Sequence, residues 1–65
     1  MKCDIYAYHG IAGWRWEIVR ADGAGRSILH SPAHERWPTR KAALEAARAV
    51  AREAGWTQET EGGHG

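Results

Sequence analysis

Trp14-Arg15-Trp16-Glu17-Ile18-Val19-Arg20, closed by Asp22-Gly23 and Gly25, is the stretch whose reading decides the fold. Its side chains alternate, with Trp14, Trp16 and Ile18 on one face and Arg15, Glu17 and Val19 on the other, and aromatic and β-branched residues favour a pleated, half-buried strand. Asp-Gly tolerates the positive φ of a tight hairpin, so a returning strand is expected from Arg26 to Ser31. Working upstream, Cys3 to His9 repeats the alternation, with Cys3, Ile5, Ala7 and His9 set against Asp4, Tyr6 and Tyr8. Gly10-Ile11-Ala12-Gly13 supplies the turn between the two.

Working downstream, Ser31 to Pro38 reads as a loop, because each of its two prolines removes a backbone donor and turns its predecessor away from helical geometry. Thr39 fits a helix N-cap, although Ala42 stands where the Glu or Gln of a capping box would be. Arg40 to Ala54 are strong helix formers, and Gly55 is placed for the left-handed stop, with Trp56 folding back as its apolar contact. At helical spacing Ala43, Leu44, Ala47, Val50, Ala51 and Ala54 form one stripe, opposite Lys41, Glu45, Arg48 and Arg52. An alanine stripe lets the helix approach a sheet closely, and Trp14, Trp16 and Ile18 supply the bulk it lacks. Thr57 to Gly65 has no periodicity and three glycines, and reads as a flexible tail. The expected fold is α+β: one domain over residues 1–56, a three-stranded antiparallel meander with one C-terminal α-helix packed on one face, followed by the tail 57–65.

At 65 residues the chain has room for one domain, and a chain of this size buries only about 60% of the surface its unfolded form exposes. Fifteen large apolar side chains support a thin core, worth about 3–5 kcal/mol net. A deep substrate cavity is not expected inside a monomer. The formal charge is +1, and nine basic against six acidic residues over 1–56 leave +3 there. That mild basicity permits nucleic-acid contact without demanding it. Cys3 is the single cysteine, which excludes an internal disulfide or a cysteine-built zinc framework and suits a reducing compartment. Neither a signal-peptide pattern nor a run of about 20 apolar residues follows Met1, so a cytoplasmic protein without membrane contact is expected.

If Ile5, Ala7, Trp14, Trp16 and Ile18 face the helix, alternation turns Tyr6, Tyr8, Arg15, Glu17 and Val19 outward, while Arg20 and Arg26 flank the second turn. The candidate binding face is therefore Tyr6, Tyr8, Arg15, Glu17, Arg20 and Arg26, since tyrosine offers a flat body with a polar tip and arginine a rigid donor fork. The same residues would also serve as ordinary cover for a solvated sheet. Glu17 opposes tight phosphate tracking and suits an Arg or Lys on a protein partner. Trp37, two residues before the cap, fits either an exposed anchor or a staple that closes the core. His30 and His34 are four apart, but Pro32 intervenes and no HExxH pattern exists, so no metal site is expected. Cys3 lacks an activating helix N-terminus or Cys-x-x-Cys partner and reads as a small buried hydrophobe. Gly10-x-x-Gly13 and Gly23-x-Gly25 are turns rather than phosphate loops, because neither leads directly into a helix. No catalytic residues and no cofactor are assigned.

The run Trp14-Arg15-Trp16-Glu17-Ile18-Val19, then Asp22-Gly23, then Trp37-Pro38-Thr39-Arg40-Lys41-Ala42-Ala43 resembles the amino-terminal three-stranded DNA-binding domain of phage-type tyrosine integrases, and also small YegP-like bacterial proteins with a Trp-rich strand. The likeness covers about half the chain. The integrase resemblance implies a sheet face entering a DNA major groove, with Arg15, Arg20 and Arg26 as the contacts. By size and type, without a shared motif, the chain also resembles small phage inhibitors of the anti-CRISPR kind. The favoured expectation is a non-enzymatic module, a phage or bacterial accessory or inhibitor, that occupies a surface of a larger protein or nucleoprotein complex. The alternative is a DNA-binding module using the same face. A monomer or weak homodimer is expected, with the first strand as the pairing edge.

Overall fold

The alternation around Trp14 becomes the longest strand of a four-stranded sheet in the computed structural model, which describes residues 2–22 and 25–64, with Asp22 and residues 59–64 described by their backbone alone. In chain order the elements are β1 (Lys2–Gly10), β2 (Gly13–Asp22), β3 (Gly25–His30), α1 (Arg40–Glu53) and β4 (Thr57–His64). The three expected strands and the helix are present, each within two residues of its expected ends. β1 and β2 pair antiparallel from Asp4↔Val19 to Gly10↔Gly13, and β2 and β3 from Glu17↔His30 to Asp22↔Gly25. The expected turn at Gly23 lies outside the described residues.

Two expectations are corrected. The segment from Thr57 to His64, read as a flexible tail, is strand β4, and it pairs parallel to β1, so the sheet is mixed with order β3-β2-β1-β4. The ladder steps from Cys3↔Gln58 to Asp4↔Thr60, which leaves Glu59 as the extra residue of a bulge. As a result β1 is an interior strand with a neighbour on each side, and it offers no free edge for pairing with a second copy; the outer strands are β3 and β4.

α1 packs across β1, β2 and β4. Its start is fixed by Thr39, extended at φ −136° and ψ 159°, whose hydroxyl accepts from the Ala42 amide at 3.1 Å. Its end is a Schellman turn: Gly55 at φ 77° donates to Arg52, and Trp56 donates back to Ala51 at 2.9 Å. Between these caps Ala43, Leu44, Ala47 and Ala51 are buried against Cys3, Ile5, Ala7, Trp16 and Ile18. Small residues on the helix and large ones on the sheet therefore interlock as expected. Val50 is only partly buried at the rim, and Ala54 is exposed because the helix ends over the margin of the sheet.

The loop after β3 continues the edge of β2 in irregular form. Ser31 donates its amide to the Trp16 carbonyl at 3.0 Å, and its buried hydroxyl accepts from the Trp16 amide at 3.3 Å. Farther on, Trp37 and Trp14 exchange both backbone hydrogen bonds at 2.9 and 3.0 Å. These contacts tie the proline-bracketed loop to the strand and set Trp37 against the core.

Candidate functional site

One sheet face carries α1, and among the described residues no element covers the other. Strand alternation and register place five of the six predicted face residues, all but Arg20, on that second face. Tyr6 lies opposite Glu17, which in turn lies opposite His30 on β3, and Tyr8 lies opposite Arg15. The Tyr8 hydroxyl donates to Glu17 Oε1 at 3.3 Å, and His30 Nδ1 stands 3.3 Å from Glu17 Oε2. The Glu17 carboxylate is thus shared between a phenol and an imidazole from the strands on either side. Burial, followed by the negative charge and the hydrogen bond of Glu17, pushes the Tyr8 phenol above its ordinary pKa. Around this cluster is an open depression of about 390 Å³ lined by Tyr8, Arg15, Trp16, Glu17 and His30. The chemistry on offer is hydrogen bonding and charge recognition from a preorganised carboxylate beside a guanidinium.

The structure brings together Tyr6, Tyr8, Arg15 and Glu17, while Arg26 sits on the same face at the far end of β3, opposite Ala21. Arg20 belongs elsewhere. It shares the parity of Trp14, Trp16 and Ile18, so it lies on the helix side, where its guanidinium sits 4.8 Å over the Trp56 ring and donates to Ser27 Oγ at 3.3 Å. This corrects its assignment to the open face: a residue next to a turn keeps the parity of its strand when the ladder continues to Asp22. Trp37 is half-buried, packs against the core and tilts toward Trp16 at 6.5 Å between ring centroids, so it closes the core as a staple would.

Sequence reasoning missed three exposed apolar residues. Ile28 lies on the open face opposite Val19, and Leu29 lies on the helix-side face beyond the reach of α1. Ile11 is fully exposed at the tip of the β1–β2 hairpin. An isoleucine inside a Gly-x-x-Gly turn, where polar residues are usual, was the available signal. Cys3 is 2% exposed, and burial raises its thiol pKa, as suits a packed side chain rather than a nucleophile. Among the described residues no three His, Cys, Asp or Glu side chains gather as a metal site. No helix there is long and apolar enough to cross a membrane. No family model, curated protein or solved structure matches the chain.

Proposed function

We propose that this chain is a non-enzymatic binding module that uses its open sheet face, with Tyr6, Tyr8, Arg15, Glu17 and Arg26, to occupy a surface of a larger protein or nucleoprotein complex. As an accessory or inhibitor protein of phage or bacterial origin, it would work by steric occupation rather than by chemistry. The observation that carries the reading is the uncovered face itself. A chain with few large apolar side chains leaves Tyr8 and Ile28 exposed there, around a carboxylate already held by two partners. Exposed aromatic and apolar residues around fixed polar groups are the composition of an interface centre. Ile11 at the hairpin tip adds a projecting apolar contact.

The DNA-binding alternative draws on Arg15 and Arg26 alone of its three arginines, because Arg20 lies on the helix side. Affinity capture from the native host, run in parallel with a Tyr8→Ala/Arg15→Ala variant, tests the protein reading. A specific partner lost in the variant supports it. Equal recovery by both proteins overturns the assignment of this face.

A further inference from the structure

A second depression, of about 330 Å³, lies off the open face, between the loop after β3 and the helix. Pro32, Ala46, Val50, Trp16 and Trp37 line it, together with Glu35 and His30. No Lys or Arg lines it, so Glu35 supplies its one fixed formal charge. Glu35 also has no ion-pair partner among the described residues. The neighbouring Arg36 directs its guanidinium to the Ala33 and Glu35 carbonyls, at 3.0 and 2.7 Å, and makes no ion pair with the Glu35 carboxylate.

The groove thus combines apolar side chains, two tryptophans and one carboxylate without an ion-pair partner among the described residues. Indole faces attract cations through their quadrupole, and Lys and Arg bury a methylene stem while keeping the charged head at a polar rim. We infer that this groove receives a long cationic side chain, Lys or Arg, of a protein partner, its stem along Pro32, Ala46, Val50 and Trp37 and its head at Glu35. An acidic side chain would be repelled by the Glu35 charge, and a neutral aliphatic one would gain nothing from it. His30 and Trp16 border both depressions, so the groove adjoins the candidate face. The inference rests on the reading of the chain as a protein-binding module and gives its partner a chemistry.

The test uses the full chain and three small probes, the N-acetyl methylamides of arginine, norleucine and glutamate, titrated at constant ionic strength while the four indole N–H resonances are followed. The arginine probe is expected to shift the Trp16 and Trp37 signals saturably, to leave those of Trp14 and Trp56 in place, and to bind about fivefold or more tightly than norleucine. Glu35→Gln, an exposed change on the loop, should remove that preference while the folded spectrum persists. Equal binding of arginine and norleucine, stronger binding of glutamate, or no saturable shift of Trp16 and Trp37 overturns the proposal. Trp37 lines the groove and not the sheet-face depression, so its signal together with Glu35→Gln separates a failure of the groove from a failure of the sheet face, which the Tyr8→Ala/Arg15→Ala capture reports.

Discussion

Gly13 has φ +131°, and a Cβ built on it would stand 3.0 Å from the Trp37 carbonyl oxygen and 3.2 Å from Arg36 Cβ. The glycine is therefore required twice, by its backbone angle and by the close approach of the loop that bridges to Trp14. Gly13→Ala is expected to lower stability by about 1–3 kcal/mol, read as a drop in denaturant midpoint at unchanged slope. Gly55 has φ 77° with open space around it, so Gly55→Ala meets only the backbone term, about 1 kcal/mol. Tyr8 gives a residue-level prediction in pH. Its phenol is raised above its ordinary value by burial first and by Glu17 second. The folded state thus favours the neutral form, and this stabilisation is complete below about pH 10 and lost as pH rises through the higher folded value. In a Tyr6→Phe background, ultraviolet titration of the remaining tyrosine should give an apparent pKa above the ordinary one, and Glu17→Gln should lower it part of the way. A titration unmoved by Glu17→Gln would mean that the 3.3 Å contact contributes nothing in solution. At this scale much was legible in the sequence: alternation alone set Tyr6, Tyr8, Arg15 and Glu17 on one face. The same rule, carried two residues further, would have put Arg20 with the tryptophans.

Elements whose apolar side chains repeat at a fixed period were readable, and the one without an apolar residue was not. β2 alternates large apolar with polar residues, and α1 carries a single alanine and leucine stripe, so both announce their period. β4 reads Thr57-Gln58-Glu59-Thr60-Glu61-Gly62-Gly63-His64, without an apolar residue or a repeat. What places it is the free edge of β1, whose amides and carbonyls need partners once α1 has covered that side of the sheet. No local propensity encodes such a demand, which exists only after the other elements have assembled. The expected domain boundary at residue 56 can therefore be tested directly. A chain ending at Trp56 would expose the β1 edge and unpair its ladder, so it should melt at lower temperature than the full chain and self-associate in size-exclusion chromatography. An unchanged melting temperature and a monomeric profile would show that β4 contributes nothing to the fold.

Taken whole, the molecule is a two-layer fold whose helix serves one side of the sheet, leaving the other side with mixed charge. Along that open face run Lys2, Asp4, Arg15, Glu17 and Arg26, with Tyr6, Tyr8, Val19 and Ile28 between them. The composition separates the two partner classes by their response to salt. Each phosphate that a cation neutralises releases condensed counterions, so three cations allow a slope of log affinity against log salt no steeper than about −3 on duplex DNA. A protein partner engaged through Tyr8, Ile28 and their neighbours would instead be held mainly by apolar burial, which moderate salt leaves intact. Fluorescence anisotropy with a labelled duplex across a salt series should therefore give either no binding or a slope shallower than that bound. A steeper slope would require more cations than the face contains and would move the DNA contact to the helix, where Arg40, Lys41, Arg48 and Arg52 lie. Arg15→Ala and Ile11→Ser remove surface groups without opening the core and should stay within about 0.5 kcal/mol of the parent chain, while Tyr8→Ala also removes the bond to Glu17 and should cost about 1 kcal/mol. If all three also weaken capture of one partner, the loss belongs to the interface, and the hairpin tip and the open face engage that partner together.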